Sequence, residues 1–393
     1  MDAPRDASTP AIPQSQCTVD VYIIDTTTRV GGVPASYYLA PSHQYPGLSM
    51  PGESTPSYSF LIEHASSRTK LLFDLGLRVD WKTASAPGIL KWARSGNVEV
   101  SVEEDVASIL CRGGIDPMDI TALIFSHQHF DHTGDPRRFS GRAKIIVGPG
   151  YKQAFLPGWP ENKQAWETTS DLYRDREVIE VSFSQGNDLS GELQIGGFRA
   201  LDYFGDGSFY LLDTPGHTVA HISALARTTP SVSDGEQTQE STFILLGGDV
   251  AHDCALFRPS PMCPLPEIVM SDTSDNIAEC NSGRTFTSVH REYSDQDNGQ
   301  KARSTPFCIA TGPHHDVSAA QRSIDVLGTF DGLANVFTVL SHDPSVAKVV
   351  DLFPKKANEW MANGWRETCR WKFLPGLMGP QAGPTGARRR AKI

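Results

Sequence analysis

Ten consecutive residues, SHQHFDHTGD at 126–135, constrain this chain more than any other segment. They place His127, His129, Asp131 and His132 within six positions, directly behind the apolar run ITALIF at 120–125. A run that short and that apolar reads as a strand buried on both faces. Any fold that contains it ends a central strand in a loop crowded with imidazole and carboxylate groups. Residues two apart in such a loop point the same way, so His127 and His129 can grip one ion, while Asp131 and His132, beyond the turn, can reach a second. Neutral imidazole and carboxylate suit zinc and its first-row neighbours, and the absence of Cys from the cluster argues against a closed structural zinc site.

The rest of the chain supplies further strands. CTVDVYIID at 17–25, YSFLIEH at 58–64 and KLLFDL at 70–75 form the first group. KIIVG at 144–148, FRALDYFG at 198–205, FYLLDTPG at 209–216, HISALA at 221–226, TFILLGGD at 242–249 and VFTVL at 336–340 follow. Helical spacing appears at Val102–Cys111, and Asp316 caps a second helix running to about Leu327. Many strands with few intervening helices predict layered sheets. The connection over 31–57, full of Gly, Pro, Ser and Tyr, is long enough to predict a functional loop near the substrate. Residues 228–241 read as an exposed hairpin loop, 271–305 as a polar surface insertion, partly disordered, and 352–374 as a packed C-terminal helix and extension containing Trp360, Trp365 and Trp371.

Composition bounds the function. Thirty-five basic and 46 acidic residues give a net charge of −11 over 393 residues, which argues against a surface that tracks nucleic-acid phosphates. No stretch approaches the roughly 20 apolar residues of a bilayer span. Seven scattered cysteines without a C-x-x-C pair predict a reducing compartment. The N-terminus lacks the basic head and apolar core of a secretory signal, and residues 1–16 read as a loose, disordered tail. Cytoplasmic placement is expected, although Ala391-Lys392-Ile393 loosely resembles the small-basic-aliphatic tripeptide read for peroxisomal import.

The cluster resembles the H-x-H-x-D-H signature of the metallo-beta-lactamase superfamily. Pro215-Gly216-His217-Thr218, Gly248-Asp249 and Ser341-His342 match three later family motifs, each behind an expected strand, and Asp74 in LLFDLG matches an early supporting Asp. Taken singly, His217 reads as a loop histidine and Asp249 as a turn former; beside the cluster they read as ligands. The resemblance covers about residues 17–350. It implies an α/β fold, a four-layer αββα sandwich forming a single domain with insertions, with 351–393 a C-terminal extension ending in a basic tail. It also implies two Zn2+ per chain, with Mn2+, Fe2+ or Co2+ left open. His127, His129 and His217 would hold the first ion, Asp131, His132 and His342 the second, and Asp249 would bridge them. The implied reaction is attack of a bridging hydroxide on a carbonyl, with Asp131 shuttling the proton.

Two departures narrow the branch. Acyl-homoserine lactonases carry a Tyr three residues after the bridging Asp, whereas here the position is His252, which Asp253 can orient for the same contact with a substrate carbonyl. Ala220 stands where Gly is usual. The stretch GDVAHDCALFRPSPMCPLPE and the opening PASYYLAP are similar to a fungal lactonase-like branch that includes gamma-lactamases opening benzoxazolinones. The expected substrate is a small cyclic ester or amide met by Tyr38, Leu39, His252, Phe257 and Arg258, with Tyr37, Phe155, Trp159 and Leu256 also on the rim. No nucleic-acid or membrane partner is expected, and self-association is left open. Rival readings are a thioesterase acting on a carrier-bound polyketide or an acyl-glutathione, and a nucleic-acid phosphodiesterase. His221 reads as structural, and His314 and His315 as loop residues.

Overall fold

The computed structural model describes residues 10–49, 54–95, 98–183, 193–233, 238–270 and 280–379. Most of the expected tail, the start of the polar insertion at 271–279 and the C-terminal tripeptide lie outside them.

Among the described residues, thirteen strands build the two large sheets. The first takes β1 (Asp20–Gly31), β2 (Thr55–His64), β3 (Thr69–Phe73), β4 (Glu99–Ser101), β5 (Ala122–Ile124), β6 (Lys144–Val147) and β7 (Val178–Glu180), in the order β4-β1-β2-β3-β5-β6-β7. The second takes β8 (Gln194–Ile195), β9 (Phe198–Asp202), β10 (Phe209–Asp213), β11 (Ile222–Arg227), β12 (Phe243–Leu246) and β13 (Val336–Val339), in the order β13-β12-β11-β10-β9-β8. Strands β3, β5, β6 and β7 run parallel, as do β12 and β13, and the other pairs are antiparallel.

Two-residue periodicity explains the layers. Ile23, Phe60, Ile62, Leu71, Phe73, Ala122 and Ile124 face inward from the first sheet and meet Phe209, Leu211, Ile222, Ala224, Ile244, Leu246, Phe337 and Val339 from the second. Their neighbours Ile24, Leu61, Leu72, Leu123 and Ile145 point outward to α1 (Val106–Arg112). Tyr210, Leu212, Leu225 and Leu245 point outward to α2 (Val317–Asp331). A sheet buried on both faces reads as a continuous apolar run, which is why ITALIF and FYLLD look as they do. The result is the α/β sandwich with helices outside both sheets.

Differences from expectation have local causes. Helix α1 starts at Val106, where the Asp105 carboxylate accepts from Ser108 N. Helix α2 is capped by Asp316 as expected but runs past Gly328 to Asp331, since Gly328 faces Phe257 on the buried side. The 31–57 connection is partly regular: Leu39–Ala40 pairs antiparallel with Ile309–Ala310. Within the expected polar insertion, a helix spans Gly283–Ser288 because Phe286 is buried in the outer core. The extension is tied to the sandwich: Phe353 N and Ala357 N donate to the carbonyls of Ile23 and Val21, and the fully buried Trp360 stacks on Phe337 at 5.6 Å. Among the described residues no helix is long and apolar enough to cross a membrane.

Candidate metal centre

Parallel strands deliver their C-terminal ends to one edge, and the chemistry sits there. Asp74 follows β3, Ser126 and His127 follow β5, His217 follows β10, Asp249 follows β12 and His342 follows β13. Asp131 and His132 lie on a short turn of helix, Phe130–Thr133, that closes back with His132 N donating to His129 O. Gly248 has a φ of +56°, and a Cβ there would come within 2.8 Å of Ser126 and 2.9 Å of His221 Nε2. Only glycine lets the β12 turn bring Asp249 this close to the first sheet.

Seven side chains expected from the sequence meet in two groups. His127, His129, His217 and Asp249 each offer one ligand atom within 4.8 Å of the others, as do Asp131, His132 and His342. In the first group His217 Nε2 lies 3.1 Å from His129 Nδ1 and 3.7 Å from Asp249 Oδ2, and His127 Nε2 lies 3.8 Å from that oxygen. In the second, His342 Nε2 lies 3.6 Å from Asp131 Oδ2, and His132 Nε2 lies 3.8 Å from it. Asp249 belongs to both: Oδ1 faces His132 Nε2 at 3.3 Å, and Oδ2 faces His342 Nε2 at 3.2 Å.

The buried atoms His127 Nε2, His132 Nε2 and Asp249 Oδ1 have no hydrogen-bond partner among the described residues. Orphaned buried polar atoms are costly, and convergent imidazole nitrogens around a shared carboxylate are the donor set a divalent ion accepts. The opposite ring nitrogens are engaged. His127 Nδ1 meets Ser126 Oγ at 2.9 Å, His132 Nδ1 meets Asp74 Oδ2 at 2.8 Å, and His342 Nδ1 donates to Pro56 O at 2.7 Å. His129 Nε2 lies 3.5 Å from Glu167 Oε2, and His217 Nδ1 lies 3.3 Å from His314 Nδ1. A fixed second nitrogen sets which nitrogen is free to coordinate.

The field of the site agrees. Burial and the surrounding imidazoles hold His127 and His217 well below their ordinary value, so both are neutral. Burial also pushes His132 and His342 down, yet the carboxylates of Asp249 and Asp131 outweigh it: His132 is held well above its ordinary value and His342 at about 9. Burial pushes Asp249 up, but His342 and His132 hold it well below the usual carboxylate range. A field that favours imidazolium equally favours a divalent cation, and binding one releases those protons.

Around the centre, His252 Nε2 is 3.4 Å from Asp249 Oδ2, and Tyr38 stacks flat on its ring at 3.7 Å. Burial and the Asp249 carboxylate push the Tyr38 phenol up, so it stays a neutral hydroxyl. Asp253 does not orient His252; it caps the turn at Cys254–Leu256 by accepting from Ala255 N. His221 is structural as expected: Nε2 accepts from Asp249 N, Nδ1 meets Thr214, and burial pulls its pKa down to about 3.

Three expected substrate contacts lie elsewhere. Leu39 and Phe257 are each 2 % exposed and pack in the outer core, where Leu256 joins them. Arg258 is buried too, bidentate to Asp331 at 2.6 and 2.9 Å with a third bond to Arg370 O. A guanidinium taken out of water needs such a partner, and the end of α2 supplies it. Glu167, not singled out in the sequence, and His314, expected there to be a loop residue, both reach the site, beside His129 and His217. Each lies beside a candidate ligand from a distant segment, and no local spacing marks either.

The Metallo-beta-lactamase superfamily description matches residues 53–261. The chain is 42% identical over 369 residues to the gamma-lactamase FDB1 of Fusarium pseudograminearum, covering 92% of this chain and 83% of that one. It is 35% identical over 382 residues to the metallo-hydrolase mfmC of Annulohypoxylon moriforme, covering 95% of this chain and 92% of the other. In fold it is similar to a mutant of B. thuringiensis AiiA solved with N-decanoyl-L-homoserine at the active site, with a TM-score of 0.52, 18% identity and coverage of 86% and 99%. The fold implies divalent metal binding at the clusters described above. The chain belongs to the metallo-beta-lactamase superfamily, as a hydrolase related to gamma-lactamases.

Proposed function

We propose that this hydrolase opens a small cyclic ester or amide, a lactone or lactam with the cyclic carbamate of a benzoxazolinone among the candidates, at a centre of two zinc ions. The observation that carries the reading is Asp249, whose carboxylate faces both ligand groups: Oδ2 lies 3.7–3.8 Å from His217 and His127 of the first and 3.2 Å from His342 of the second, and Oδ1 lies 3.3 Å from His132. His127, His129 and His217 would hold one ion, Asp131, His132 and His342 the other, and Asp249 both. Such a pair supplies a nucleophile from water near neutral pH, by lowering its pKa to about 7, and polarises a carbonyl. The chain's own residues do the rest. His252, held flat against Tyr38, meets the substrate carbonyl, and the ring stack fixes its plane. Asp131, steadied by Ser57 Oγ at 3.2 Å, carries the proton to the departing oxygen or nitrogen. The net charge of −11 disfavours a nucleic-acid substrate.

Metal analysis of the purified protein and a panel of benzoxazolinone, gamma-lactones and acyl thioesters test the reading. Two zinc ions per chain with ring opening, lost in Asp131→Asn and His129→Ala, is the expected result. Turnover of thioesters with none of lactones or lactams would replace it with a thioesterase, and full hydrolysis in either variant would overturn it.

A further inference from the structure

We infer that His314 is a positioning residue that fixes the tautomer and plane of His217 and so sets the affinity of the first metal site. The inference rests on reading His217 as a metal ligand. Its Nε2 converges with His129 and Asp249, so its hydrogen sits on Nδ1, which lies 3.3 Å from His314 Nδ1. Two facing nitrogens share one hydrogen, so His314 accepts at Nδ1 and keeps its own hydrogen on Nε2. His314 is 8 % exposed, which makes this contact difficult for bulk water to replace.

The backbone builds the approach from both sides. His315 N donates to His217 O and Asp316 N to Gly216 O, each at 3.0 Å, so the two loops run together. On the other side Thr311 N donates to Tyr38 O at 2.9 Å. Gly312 has a φ of +83°, and a Cβ there would come within 1.8 Å of Tyr37 O. A loop clamped this way holds the His314 ring, and the ring holds His217. No other side chain among the described residues bonds His217 Nδ1.

The experiment measures zinc binding by the full chain against a chromophoric chelator, for the wild type, His314→Leu, His314→Gln and His315→Ala. In His314→Leu one of two zinc sites should weaken about 10- to 100-fold, the usual cost of losing a ligand's hydrogen-bond partner. His314→Gln should recover most of that, because its side-chain oxygen can accept from His217 Nδ1, and His315→Ala should match the wild type. Metal-free melting temperatures of the Leu and Gln variants should agree, which separates orientation of His217 from general packing. Wild-type affinity in the Leu variant would overturn the inference, as would equal loss in Leu and Gln. A third zinc ion that disappears with His314→Leu would make His314 a ligand instead. A wild type that binds no zinc would defeat the proposed dinuclear centre itself, an outcome distinct from a zinc-binding wild type indifferent to His314.

Discussion

His132 hands its Nδ1 hydrogen to Asp74 across 2.8 Å, and Asp74 in turn accepts from Ser126 N at 2.7 Å and Ser126 Oγ at 2.8 Å. One fully buried carboxylate thus orients a ligand and anchors the loop that carries its neighbour. Asp74→Asn keeps one acceptor oxygen but removes the charge. Zinc affinity at the site of His132 should fall about 10-fold or more, read by chelator competition. Unchanged affinity would show that Asp74 serves only the loop.

Metal binding should appear as stability. A ligand bound to the native state at 1,000 times its Kd adds about 4 kcal/mol, so stripping with a chelator should lower the melting temperature and zinc should restore it. Asp249→Asn, which weakens the shared ligand of both groups, should shrink that shift. A melting temperature indifferent to zinc in the wild type would contradict the role given to the clusters.

Arg258 offers a test of burial against substrate contact. Arg258→Met strands the Asp331 carboxylate, 2 % exposed, and should cost about 3–5 kcal/mol in denaturant unfolding. Arg258→Met with Asp331→Leu should recover most of it while leaving KM unchanged. A raised KM in the stable double variant would return Arg258 to the substrate.

One share of the acid sensitivity should come from His290, away from the metal centre. Its Nε2 donates to Thr305 O at 2.9 Å and its Nδ1 accepts from Glu292 N at 3.0 Å, so only the neutral ring fits. Burial pulls its pKa from 6.5 to about 4. The unfolded chain therefore binds more protons between those values, and stability falls as pH drops through that window. The melting temperature of the wild type should fall more between pH 7 and pH 5 than that of His290→Gln; an equal fall would assign the acid sensitivity elsewhere.

What could be read from the sequence was local. ITALIF and the four candidate ligands behind it are one strand end, and a spacing of one to two residues is enough to gather them. His217, Asp249 and His342 each sit behind an apolar run, so strand pattern and family likeness placed them together. Leu39, Phe257 and Arg258 misled because an apolar or basic residue in a loop looks like a rim. Phe257 and Arg258 are covered by α2 and the C-terminal extension and Leu39 pairs with Ala310, all of which come from far along the chain. Glu167 and His314 lie in stretches whose composition says only loop, and their roles exist once two distant segments touch.

The short pairing of Leu39–Ala40 with Ile309–Ala310 bears on how such a hydrolase can change its diet. Tyr38 and His314, which reach the metal centre, stand on the two segments this pairing joins, which are separated by most of the chain. Exchanging either alone would leave backbone donors and acceptors unmatched and displace Tyr38 from His252. A change of specificity on this scaffold therefore calls for exchanging both loops together, while the strand ends that carry the candidate metal ligands can stay where they are.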